Sequence, residues 1–119
     1  MPAPVVYGYV RALVEDDAYV RDCKEQLATW CAREGWALQA VFTDCGGALD
    51  DDRVGFRGLL NALAMPDSSA AVVLGSLHLS PRADVVARLV RAVRRTGCTL
   101  EVRDKDLPEI ARRLCLARP

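Results

Sequence analysis

Long apolar runs are missing from this 119-residue sequence. Nothing in it approaches the roughly 18 uninterrupted apolar residues that span a bilayer, so no membrane partner is expected. Residues Met1 to Val6 lack a basic stretch leading into an apolar one. No signal peptide is read there, and a cytoplasmic location is the expectation. The five cysteines, Cys23, Cys31, Cys45, Cys98 and Cys115, form no Cys-x-x-Cys pair, and the single histidine, His78, lies far from them in sequence. The usual spacings of a zinc site are therefore absent. An odd count without a secretion signal also argues against a disulfide framework. The cysteines read as small hydrophobes of the interior.

Other signatures are missing as well. The first apolar run leads into RALVEDD rather than a glycine-rich turn, and no Walker A sequence occurs anywhere. Both observations exclude the common dinucleotide and nucleotide motifs. Asp44, Asp50, Asp51 and Asp52 lack the alternating spacing and closing glutamate of a calcium loop, and read as a solvated acidic segment. No cofactor and no metal is expected. Net charge is zero but uneven: residues 1–81 hold 6 Lys and Arg against 11 Asp and Glu, and residues 82–119 hold 10 against 5. A basic half can mark a nucleic-acid contact. Overall neutrality makes DNA a weak candidate partner, because strong nonspecific affinity needs many phosphate contacts. Solvated helix faces and intramolecular pairing are the favoured account of the arginines.

What is present is a regular alternation of strand and helix. Val5–Ala12, VVYGYVRA, reads as a buried strand. Glu15, Asp16 and Asp17 then open a helix whose apolar face is Val20, Cys23, Leu27, Trp30 and Cys31, closed by Gly35. Residues 37–43 form a second strand, and the glycine-rich acidic stretch 44–52 is a loop. Phe56, Leu59, Leu60 and Leu63 mark a second helix. After a turn over 65–69, residues 70–74 form a third strand, continuously apolar as in a buried parallel sheet. A third helix, opened near Pro81, buries Val85, Val86, Leu89, Val90 and Val93 and closes at Gly97. Residues 99–103 make a fourth strand, and Leu107, Ile110 and Leu114 outline a final short helix. This pattern predicts one α/β domain over residues 1–119. Its form is three layers, with a mostly parallel four-stranded sheet carrying helices on both faces. No separate DNA-binding domain is expected in it.

In such a sheet, sites gather at the carboxyl ends of the strands. Those ends carry Arg11, the acidic segment from Asp44 to Arg53, and the stretch Ser76-Leu77-His78-Leu79-Ser80-Pro81-Arg82. Guanidinium groups suit phosphate, which makes Arg11, Arg53 and Arg82 phosphate-binding candidates. Arg11 equally suits a pair with Asp44.

The order of these pieces resembles the catalytic domain of the serine recombinases, the resolvases and invertases. Gly8-Tyr9-Val10-Arg11-Ala12-Leu13-Val14 stands where that family has Gly-Tyr-x-Arg-Val-Ser-Thr. Phe42-Thr43-Asp44 matches its strand ending in Thr-Asp, and Arg53 with Gly55-Phe56-Arg57-Gly58-Leu59-Leu60 matches an arginine before a leucine-rich helix. Leu77-His78-Leu79-Ser80-Pro81-Arg82 falls where the family reads Leu-Asp-Arg-Leu-Gly-Arg. The resemblance spans about residues 5 to 103 and implies a resolvase-like fold and an ancestry in DNA recombination. Its departures imply a lost reaction. The family's serine forms a phosphoserine ester with DNA, and its place is taken by Leu13, which cannot attack phosphorus. The first arginine of the third-strand motif is Leu79, its acidic neighbour is His78, and a glutamine of the first helix is Cys23. Arg11, Asp44, Arg53 and Arg82 remain, so the six positions with Leu13 and Leu79 outline a vestigial centre. Ser76 and Ser80 lie on the same rim, but a replacement nucleophile must sit in line within about 3–3.5 Å of phosphorus. His78 as a general base has no nucleophile to serve.

Three readings follow. The first is a catalytically inactive, non-enzymatic interaction or regulatory module, with a protein partner or self-association. The second is a phosphate or nucleic-acid binder using the arginine rim. The third and least favoured is an active recombinase.

Overall fold

The computed structural model describes residues 2–46 and 53–116. Four strands, β1 (Val5–Ala12), β2 (Ala37–Cys45), β3 (Ser68–Val73) and β4 (Thr99–Val102), form one sheet in the order β2-β1-β3-β4. Every pairing is parallel. The helices are α1 (Asp17–Glu34), α2 (Val54–Leu63), α3 (Ala83–Arg95) and α4 (Glu109–Leu116), with a short 3-10 turn at Ser76–His78 between β3 and α3.

Side-chain alternation along the strands divides the core in two. Val6 and Val10 of β1, with Ala70, Val72 and Leu74, pack under Cys23, Leu27 and Cys31 of α1. Tyr9, Ala71, Val73 and Leu100 point to the other face, where α2, α3 and Ala111 of α4 cover them. This is the three-layer α/β arrangement predicted from the pattern. The first helix also starts and stops as its caps dictate. The Asp16 side chain accepts from the Tyr19 N–H, and Gly35 takes the left-handed conformation at φ 77° that a side chain would disfavour.

The structure departs from the pattern at four places. The second strand continues past Thr43 to Cys45, so Asp44 is a buried strand residue and not part of a solvated loop. Asp50, Asp51 and Asp52 lie outside the described residues. The third strand starts at Ser68, inside the expected turn. In α4 the expected core residue Ile110 is exposed, and Ala111 takes the buried place beside partly buried Leu107, Leu114 and Cys115. A helix that short has two apolar registers to choose between, and it uses the one that brings the small side chain against α3. Finally, Cys23, Cys31 and Cys98 are buried, but Cys45 is exposed and Cys115 is half-buried.

Asp44 owes its burial to the hydrogen bonds around it. Its Oδ2 accepts from the Tyr9 hydroxyl at 2.6 Å and from the Phe56 N–H at 2.9 Å, and its Oδ1 accepts from the Gly55 N–H at 2.7 Å. Those amides are the unsatisfied donors of the first turn of α2, where the residue before the helix, Arg53, makes no side-chain cap. A carboxylate from the neighbouring strand supplies the cap instead, favoured by the helix dipole. Contact this close requires glycine at position 55, because a Cβ there would collide with the backbone carbonyl of Thr43. Replacing Asp44 by Ala strands two buried donors, the Tyr9 hydroxyl and the Phe56 N–H, and the part-buried Gly55 N–H, the buried ones each costing about 1–3 kcal/mol. Asp44→Ala is therefore expected to lower the unfolding free energy by about 3 kcal/mol or more in urea titrations. Asp44→Asn, which keeps an acceptor, should cost less, and Gly55→Ala should be as severe as Asp44→Ala.

Candidate functional site

The chain order reverses between β1 and β3: β2 lies on one side of β1, and β3 and β4 on the other. In open α/β sheets that reversal opens a crevice outside the carboxyl ends of the strands, where ligands bind. Here a cleft of about 450 Å³ occupies it, lined by the segment from Arg11 to Val14, by Asp16 and Tyr19 at the start of α1, and by Leu77, His78 and Pro81 after β3. A second cleft of about 240 Å³ shares Tyr19, Leu77 and His78 with the first and continues to Arg103, Asp104 and Asp106 beyond β4.

The 3-10 turn and β1 are stitched together across the crevice. The Arg11 guanidinium donates twice to the Leu77 carbonyl, from Nε at 3.0 Å and Nη2 at 2.7 Å, and the Arg11 backbone N–H donates to His78 Nδ1 at 3.3 Å. An Nδ1 that accepts leaves the imidazole proton on Nε2. Burial, and then the nearby positive charge of Arg11, push the His78 pKa below its ordinary value of 6.5. The ring lies nearly parallel to that of Tyr19, with centroids 6.3 Å apart and 11° between the planes. The Tyr19 phenol is pushed above its ordinary pKa by burial and by a hydrogen bond with the Cys23 thiol. At the far end, Arg103 donates to Gln26 and Asp104, and Asp106 accepts from the Ser76 N–H at 2.8 Å.

The six positions singled out in the sequence are dispersed. Arg11 and Leu13 line the first cleft, Leu13 being 64% exposed at its mouth. Leu79 is in the core under α3. Asp44 caps α2, as described above. Arg53 is only 5% exposed and acts on the Tyr9 hydroxyl, whose pKa is raised first by burial and then by the hydrogen bond to Asp44, with Arg53 opposing. Arg82 precedes α3 at the surface and pairs with Asp84 at 2.8 Å. The expected alternative pairing of Arg11 with Asp44 is not formed. Although the two residues are register neighbours, the Arg11 side chain turns to Leu77 and the Asp44 carboxylate to Tyr9 and α2. Ser76 and Ser80 do not line the cleft; Ser80 is buried and accepts from the Arg82 N–H. Tyr19 belongs to the site and is missed by the sequence reading. It falls outside the apolar stripe of α1, and an aromatic residue on the exposed first turn of a helix is the only signal it leaves. Among the described residues, no three His, Cys, Asp or Glu side chains cluster as metal ligands.

No family model matches the chain, and no curated protein matches it in sequence. Solved structures do match in fold. The chain is similar to the N-terminal catalytic domain of TP901-1 integrase, with a TM-score of 0.77 at 16% identity over 94% of this chain and 89% of that one. It is similar to the C-terminal catalytic domain of ISC1926 TnpA, an IS607-like serine recombinase, with a TM-score of 0.72 at 15% identity over 82% of this chain and 68% of that one. It is also similar to a serine recombinase from Sulfolobus solfataricus, with a TM-score of 0.60 at 24% identity over 90% of this chain and 72% of that one. The fold is that of the serine recombinase catalytic domain.

A histidine whose pKa is lowered in the folded state resists protonation that the unfolded chain accepts. Its contribution is complete above pH 6.5 and is lost as the pH falls below it. The melting temperature of the unaltered chain should therefore fall more steeply between pH 6.5 and about 5 than that of His78→Gln. Parallel profiles would show that His78 titrates normally.

Proposed function

We propose that the chain is a non-catalytic interaction or regulatory module built on the serine recombinase catalytic-domain fold. The observation that carries this reading is the chemistry of the crevice between β1 and β3, which is walled by Leu13, Val14, Leu77 and Pro81. By its resemblance to the family motif, Leu13 occupies the nucleophile's place, and an isobutyl group cannot form a phosphoester. The hydroxyl that does line the crevice is the Tyr19 phenol. Burial raises its pKa, which disfavours the phenolate that attack on phosphorus would require.

Stabilising charge on a transferring phosphate needs donors aimed in advance at one point. Arg11 is the one arginine of Arg11, Arg53 and Arg82 in the crevice lining, and its guanidinium already spans to the Leu77 carbonyl. The solved neighbours are recombinases, which work on DNA. For this chain the reading is narrower: the crevice at the carboxyl ends of the strands serves as a binding surface for protein. DNA is a weak partner at most.

The reading is tested by incubating the purified chain with supercoiled plasmid and stopping the reaction in detergent. The expected result is neither nicked circles nor protein-linked DNA. Leu13→Ser should fold as well as the parent, within about 0.5 kcal/mol, because position 13 is exposed. It is expected to remain inactive, since the arginines stay where they are. A covalent adduct from the unaltered chain would overturn the reading, and an adduct from Leu13→Ser would show that the rest of a recombinase centre is still assembled.

A further inference from the structure

We propose that the two joined clefts form a docking groove for an extended segment of a partner protein, one that presents an aliphatic anchor side chain flanked by Lys or Arg. The proposal rests on the interaction-module reading and names the class of partner.

The apolar half of the groove supplies the first argument. Seven large hydrophobic residues are exposed among the described residues, and four of them, Leu13, Val14, Tyr19 and Leu77, converge on the same cleft. Val14 and Leu77 are 67% and 63% exposed. Scattered exposed apolar residues are ordinary, but a cluster around a concavity marks an interaction site. A volume of about 450 Å³ accepts a leucine-sized side chain with part of its backbone.

The shape of the groove supplies the second argument. The smaller cleft meets the larger at Tyr19, Leu77 and His78, so the groove runs on over the stacked rings rather than closing around a compact ligand. An extended chain suits that path.

Charge chooses the flanking residues. Exposed Asp16 lines the first cleft, with exposed Glu15 and Asp17 on either side of it in the chain, and exposed Asp104 and Asp106 line the second, so the lining holds three acids against Arg11 and Arg103. The arginines lining the groove are engaged: Arg11 with the Leu77 carbonyl, and Arg103 with Asp104 and Gln26. The rim is net acidic. A phosphate backbone would be repelled along it, whereas a basic side chain beside the anchor would be drawn to either lip. Such charges set the rate and choice of partner, and the anchor supplies the affinity.

The test is a nuclear magnetic resonance titration of the intact chain with a blocked peptide of sequence glycine-lysine-leucine-lysine-glycine, taken to millimolar concentration. Saturable shifts are expected at the methyl groups of Leu13, Val14 and Leu77 and at the Tyr19 ring. Replacing the peptide's leucine by serine should weaken binding about tenfold. Replacing its lysines by glutamate should weaken it further, and the lysine effect should fade in high salt. Leu13→Asp and Leu77→Asp, both at exposed positions, should abolish the shifts, whereas Val54→Asp and Met65→Asp, also exposed but outside the groove, should not.

No shifts, or equal shifts at Val54 and Met65, would overturn the proposal. Shifts that grow with protein concentration without peptide would assign the groove to a second copy of this chain and overturn the basic-segment assignment. A failed peptide titration alongside the absence of a DNA adduct would sink this inference alone. A DNA adduct would sink the interaction-module reading on which it stands.

Discussion

The Asp44 carboxylate joins three elements that the chain brings together from distant places: the hydroxyl of Tyr9 in the central strand, its own edge strand, and the first turn of α2. Hydrogen bonds to a charged group are among the stronger ones a protein makes, and the Tyr9 hydroxyl and Phe56 N–H make theirs in a buried setting. Tyr9 also sets its ring edge-on against Phe56, with centroids 5.3 Å apart and 87° between the planes, so the same contact seats the apolar face of α2 on the sheet. The carboxyl end of β1 is fixed by this arrangement. Two residues further on, Arg11 can therefore reach across to the Leu77 carbonyl and hold the turn after β3.

That arrangement has a consequence for chemistry. Four polar groups near the carboxyl ends of the strands are engaged within the scaffold. Asp44 caps a helix, Arg53 is buried beside Tyr9, His78 is partly desolvated and accepts a backbone N–H, and Arg11 secures a carbonyl. The side chains left at the mouth of the crevice are apolar, and the exposed acids stand around them. A phosphoryl-transfer centre needs the reverse distribution, with donors and a nucleophile directed outward at one point and the apolar groups behind them.

Much of this fold was legible because burial in a parallel sheet leaves a strong local trace. VVYGYVRA gave β1 to the residue, and the spacing of Cys23, Leu27 and Cys31 with Gly35 gave α1 its buried face and its end. Asp44 was illegible for a physical reason. An aspartate opening a glycine-rich acidic stretch looks solvated, and its partners lie 35 residues earlier and 11 and 12 residues later. In α4 the choice of Ala111 over Ile110 depends on how closely α3 approaches, which periodicity does not encode. The crevice was half legible: Arg11, Leu13 and the stretch from Leu77 to Pro81 fell at the carboxyl ends where the sheet predicts a site. Tyr19, and the wall that the two clefts share, emerge only when α1 is laid across β1 and β3.

In the proposed reading, the carboxyl-end face is a surface for protein rather than for phosphate. Mapping the amide and methyl resonances of the intact chain while adding a short DNA duplex, at low and then at moderate salt, tests that claim most directly. Weak shifts are expected, confined to the arginine-bearing surfaces of α3 and α4, with Leu13, Val14 and Leu77 unmoved. Saturable shifts at those three residues that weaken steeply with salt would place nucleic acid in the crevice and contradict it.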